Sequence, residues 1–287
     1  MTGFTRRPLC IVVVSACLLA AAGCQRLAEQ EPAIWEQAKI ADLAPVTEGG
    51  PPQARFHAAV HMDVHSLEMP AEDVDRLDTV WEVLTAKPMR MNSYNAFSEN
   101  GFRVKFGRTE NWLQIQSLLT EAGAQRTATT SLILAEKDVT DLPVAHLPEA
   151  RRIAFVSSNL SQDIVNVGPG ALVLRLTCEP MPWARGVRKI IAYPAYTLPV
   201  TSAIRELEIR VQKHDFPFAS AAFATQMGPG DLLVLGPEKY SRERISLGGL
   251  FFNKPEGSLF FQPASRKPPR HKPAVRVFVL VCTNVRD

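Results

Sequence analysis

From Phe56 the chain alternates. Phe56, Ala58, Val60, Met62 and Val64 face one way, and His57, Ala59, His61, Asp63 and His65 the other. A period of two predicts a half-buried strand. Pro70, Glu72 and Asp73 then suit a helix start, and Val74, Leu77, Trp81 and Leu84 share one helical face. Residues 89–97 read as a short strand. Asn100-Gly101 is the strongest short turn signal in the chain, and Phe102, Val104 and Phe106 alternate after it. Thr109 suits a helix cap, Trp112, Ile115, Leu119 and Ala122 form the next apolar stripe, and Gly123 suits its end. Residues 127–135 read as a strand. Residues 55–145 therefore predict a strand–helix–strand–strand–helix–strand order, an α+β module.

Beyond residue 150 the pattern predicts almost no helix. Strand candidates are 153–158, 164–167, 171–178, 188–193, 207–212, 232–235, 246–252, 259–262 and 275–285, punctuated by Pro and Gly. Residues 146–287 thus predict a β-rich, sandwich-like domain. The segments GPGALVL (168–174) and GPGDLLVL (228–235) each read as a turn feeding a buried strand. They lack the Lys and Ser/Thr of a phosphate-binding loop. Residues 24–54 hold Pro45, Gly49, Gly50, Pro51 and Pro52 and read as a tether.

The N-terminal segment has a different pattern. Arg6 and Arg7 precede an uncharged apolar run from Leu9 to Gly23. That run is shorter than the roughly 20 residues a membrane-spanning helix needs, and it fits the core of an export signal. Ala20, Ala21, Ala22 and Gly23 stand directly before Cys24. This small-residue run with its cysteine resembles the lipobox of bacterial lipoproteins. The resemblance implies removal of residues 1–23 and acylation of Cys24. It also implies a chain held on a membrane by its N-terminal lipid, and Gln25 beside the cysteine implies the periplasmic face of the outer membrane. An ordinary cleaved signal with an incidental Cys24 and an uncleaved anchor are the alternatives.

Composition narrows the picture further. The formal charge of +3 falls to about +1 once Arg6 and Arg7 leave with the signal. Such a balance argues against nucleic acid as a partner, because phosphate binding needs clustered Lys and Arg. The 22 prolines argue against a long-helix bundle. No pattern calls for a cofactor.

Candidate chemistry is sparse. His57, His61, Asp63 and His65 share one strand face and offer ligands for zinc or copper. Residues four apart in a strand lie about 13 Å apart, so two such histidines do not reach one ion directly. The other reading is a solvated polar face. Cys178 and Cys282 are the two mature cysteines outside the lipobox, and they predict either a disulfide or two separate buried thiols. Arg266, Lys267, Arg270 and Lys272 cluster between prolines, as an anionic-surface contact or a solvated loop. Phe251-Phe252 and Phe260-Phe261, read as strands, place one ring on each face, for the core or for an interface. His146, His214 and His271 stand apart from one another in the sequence, and no nucleophile–base arrangement is present.

Residues 100–123, NGFRVKFGRTENWLQIQSLLTEAG, resemble the strand–helix unit of the ring-building modules of bacterial secretins. GDLLVLG (230–236), LGGLFF (247–252) and VFVLVCTNV (277–285) are similar to a secretin β-domain. The resemblance implies a secretin-like periplasmic scaffold or accessory protein. The sequence thus predicts a non-enzymatic envelope lipoprotein that assembles with a protein partner. The competing expectations are a periplasmic metal- or ligand-binding lipoprotein using His57, His61 and His65, and a hydrolase with an unrecognised site.

Overall fold

The computed structural model describes residues 58–85, 89–198, 215–241, 245–254 and 273–286. The first alternating segment is strand β1 (Ala59–Pro70). It lies between β13 (Ala274–Arg286) and β4 (Gln125–Ala135), antiparallel to both. Strand β12 (Asp231–Pro237) pairs with β13, and β3 (Phe102–Arg108) pairs with β12. The first sheet therefore runs β3-β12-β13-β1-β4.

The second sheet contains β2 (Arg90–Met91), β11 (Phe223–Met227), β9 (Arg188–Thr197), β8 (Gly170–Pro180) and β5 (Val139–Leu147), in that order. The short β10 (Phe216–Pro217) also pairs with β9. Strands β6 (Arg151–Val156) and β7 (Gln162–Val167) form a two-stranded ribbon.

This topology corrects the expected α+β class. Three antiparallel sheets dominate the described residues, and the predicted strand–helix module does not stand as a unit of its own. Its strands β1 and β3 take their partners β13 and β12 from the far end of the chain, across residue 145, where a boundary was expected. Periodicity shows which face of a strand is buried but not which strand lies beside it.

Strand β13 reads out the layering. Phe278, Leu280 and Cys282 join Leu174, Leu176 and Ile190 of the second sheet in one core. Val275, Val277 and Val279 turn the other way and pack with Leu77, Trp81, Ile115 and Leu119. Those four residues sit on helices α1 (Leu77–Val83) and α3 (Trp112–Glu121). A 3-10 turn, Ala71–Arg76, leads into α1. The first sheet is thus covered on one face by helices and on the other by the second sheet, so β13 reads as a nearly continuous apolar run.

Two segments expected as strands are helices for local reasons. Residues 89–97 keep strand geometry only at Arg90–Met91. The chain then forms α2 (Tyr94–Glu99), where Ser93 Oγ accepts the Ala96 N–H at 3.2 Å. Asn100-Gly101 ends α2 instead of turning a hairpin, with Gly101 at φ +85°. Residues 246–252 form α4 (Leu247–Phe252), where Ser246 Oγ accepts the Gly249 N–H at 3.2 Å. Consequently Phe251 and Phe252 enter the same core, their ring centroids 5.1 and 5.0 Å from that of Phe102. Strand candidates 207–212 and 259–262, and Phe260-Phe261, lie outside the described residues.

Two polar joints tie neighbouring elements together. Asn100 Nδ2 donates to Ala96 O and Val156 O at 2.7 Å each, and its Oδ1 accepts the Val156 N–H at 2.8 Å. Gly248 packs against that joint. A Cβ there would lie 2.3 Å from Asn100 O, so only glycine lets the two backbones approach. Arg175 of β8 forms the second joint. It donates Nε and Nη2 to the two oxygens of Asp141, at 2.7 Å each, and Nη2 also to Asp215 Oδ2 at 2.6 Å. The hydrogen bonds to Asp141 are the main cause that holds the guanidinium above its ordinary pKa.

Candidate functional site

His61, Asp63 and His65 of β1 lie on the helix-facing side of the first sheet, together with Thr129, Ser131 and Ile133 of β4. The side chains of Asp63 and His65 have local partners. Ser131 Oγ donates to Asp63 Oδ1 at 2.6 Å. His65 Nδ1 shares a 2.9 Å hydrogen bond with Thr129 Oγ1. The His65 ring also stacks on Trp112 of α3, with centroids 5.3 Å apart and planes 26° apart. Thr283 Oγ1 donates to the backbone oxygen of His61 at 3.1 Å. Among the described residues no three His, Cys, Asp or Glu side chains are grouped to hold a metal ion. Strand spacing keeps His61 and His65 apart, and neighbouring β4 supplies hydroxyls and Ile133 opposite them rather than further ligands. His57 lies outside the described residues.

Burial pushes the His65 imidazole below its ordinary value of 6.5; Arg126 adds to that push and Asp63 opposes it. The folded state therefore favours neutral His65. The associated stability is present above 6.5 and is lost as pH falls through the lower folded value. A His65→Gln variant is expected to lose less melting temperature than the parent between pH 7 and pH 5. Parallel melting curves at both pH values check this, and equal losses would remove His65 from the account.

The neighbouring edge is the more distinctive feature. Strand β4 ends the first sheet, and no described strand pairs with its outer side. From Arg126 to Ser131 every residue is exposed, so both faces of the strand are open as well as its edge. Ile133, further along, is 61% exposed. Arg126 is the only ionised side chain in the strand, and there is no proline.

The other long edges are protected. β3 is bridged in both directions by Thr85, whose N–H donates to Phe106 O and whose oxygen accepts the Phe106 N–H. It also carries Arg103 and Lys105. β5 carries Pro143 and a bulge between Pro143 and Ala145. Proline, charge and bulges are the usual means of blocking strand addition; β4 has no proline, and its one charge, Arg126, and its one bulge, at Thr127, both lie near its start. The sequence showed that β4 is a strand but carried no sign that it ends a sheet.

Cys178 and Cys282 are both free thiols, the second of the two expected arrangements. They occupy different sheets, and each is buried as a small apolar side chain. Cys178 Sγ donates to Leu134 O at 3.2 Å. Burial pushes both thiols up, Cys282 to about 11, so neither is a ready nucleophile. Cys24 and the basic cluster Arg266, Lys267, Arg270 and Lys272 lie outside the described residues. No described helix is long and apolar enough to cross a membrane.

No family model matches the chain, and no curated protein matches it. Among solved structures it is similar to the cryo-EM structure of the type II secretion system secretin GspD of E. coli K12. The identity is 10% and the TM-score 0.24, with 80% of this chain and 51% of that chain covered. The chain thus spans about half the length of that secretin. At this score the likeness supports no inference about fold or function.

Proposed function

We propose that this chain is a non-enzymatic scaffold of the bacterial cell envelope, anchored by lipid on Cys24, that docks an extended segment of a protein partner along β4. The open edge of β4 carries the reading. An unpaired edge offers N–H and C=O groups at fixed spacing, and an added strand satisfies them while its side chains select the partner. Thr127, Thr129 and Thr130 suit such pairing, because β-branched side chains pack well across strands. The lipobox-like residues before Cys24 support attachment of the chain to a membrane.

The test is photo-crosslinking in intact cells, with a photoreactive residue at Ala128 or Thr130 and a control at Asp163 on β7. A discrete heteromeric adduct is expected from β4 and not from β7. The double variant Thr127→Lys/Thr130→Lys should abolish it while leaving the melting temperature within a few degrees, since exposed substitutions cost little. Identical adducts from β4 and β7, or none from β4, would overturn the reading.

A further inference from the structure

The turn from β5 to β6 lies beside α4 and the start of β13. A cleft of about 420 Å³ opens there, within the roughly 300–1,000 Å³ range of ligand cavities. Leu147, Pro148 and Leu250 supply apolar wall, and Arg151, Lys254 and Arg276 supply cationic groups. The cations outnumber their counter-charges. Lys254 Nζ is bonded to Glu68 Oε2 at 2.6 Å. Arg276 stands opposite the same Glu68 across the β1–β13 pair and donates Nη1 to Val144 O. Arg151 has no carboxylate partner among the described residues. Three cations therefore share one carboxylate.

Tying β13 to β5 accounts for Arg276, whose guanidinium donates to Val144 O. It does not account for Arg151 at the start of β6, which lines the same cleft. Burial lowers the pKa of Arg276, so an arriving anion would meet a guanidinium already stripped of much of its water. Guanidinium groups bind carboxylate and phosphate oxygens in paired hydrogen bonds. His146 is the one ring among the lining residues, and no Phe, Tyr or Trp lines the cleft. The wall residues instead offer aliphatic surface beside the charge.

We propose that this cleft binds a single-chain anionic amphiphile, with its carboxylate or phosphate between Arg151 and Arg276 and its alkyl chain along Leu147, Pro148 and Leu250. The head-group chemistry is common to free fatty acids and to phosphate-bearing lipid fragments. A dication would be repelled by the excess positive charge, and a neutral chain would leave that charge unanswered.

Calorimetric titration of the mature chain with decanoate and with decyl phosphate tests this. One-to-one binding is expected for at least one of them, and the tighter of the two tells a fatty-acid source from a phosphate-bearing one. Acetate, inorganic phosphate and decyltrimethylammonium should each bind at least 10-fold more weakly than the matching anion. Arg151→Glu should weaken the anion at least 10-fold, and Arg151→Gln by less, with both melting temperatures close to the parent's. Equal binding by decyltrimethylammonium, unchanged binding in Arg151→Glu, or no binding of either anion would overturn the proposal.

Discussion

An Arg175→Met variant is expected to unfold about 3–5 kcal/mol more easily than the parent, the usual cost of leaving buried charge without its partner. Arg175 is one cation between two carboxylates, and its side chain and that of Asp215 are only 12% and 6% exposed. Removing the guanidinium deletes three hydrogen bonds of 2.6–2.7 Å and leaves Asp141 and Asp215 facing each other. Methionine keeps the bulk of the stem, so the loss measures charge and hydrogen bonding rather than a cavity. Urea unfolding at neutral pH gives the number. The triple variant Arg175→Met/Asp141→Leu/Asp215→Leu should recover most of it, because replacing a whole buried ionic group with apolar side chains is often neutral. Failure of the triple variant to recover would mean that Arg175 acts through shape instead.

Asn100→Ala is expected to cost about 3 kcal/mol. Asn100 is buried, and its amide pairs with both the N–H and the C=O of Val156, much as a neighbouring strand would. Without it, the two backbone groups of Val156 lose these partners in a buried stretch, at about 1–3 kcal/mol each. Alanine also removes the bonds to Ala96 O and Ser220 Oγ. The exposed Asn166→Ala on β7 serves as the control and should shift stability by less than about 0.5 kcal/mol. Equal shifts in the two variants would show that Asn100 is not a joint.

Local signals in the sequence were legible where one face of an element is buried. The stripe Val74, Leu77, Trp81 and Leu84 is buried as its spacing requires, and so are Phe102, Val104 and Phe106. Capping was the weaker signal. Ser93 and Ser246 each start a short helix, yet the apolar runs after them look equally like strands. β5 was hidden by its central Pro143, which an edge strand tolerates and a central strand does not. The pairing of β1 with β13 left no local trace at all. For the same reason the openness of β4 could not be read: whether a strand is an edge depends on what the rest of the chain places beside it. Of the predicted site residues, His61, Asp63 and His65 do share a face, but their partners Thr129, Ser131 and Trp112 come from β4 and α3.

The interleaving of the first sheet also governs how the molecule is made. Its central pair, β1 and β13, joins residues about 200 positions apart, and the entropy of closing so long a loop must be overcome before most of their contacts form. Contacts of that range slow folding. Until β13 has been synthesised, β1 and β12 lack the strand between them, and the valines that cover the helices are missing. A growing chain therefore keeps one edge of β1 without its partner until the last strand is made, a state in which chaperone binding or export can compete with folding.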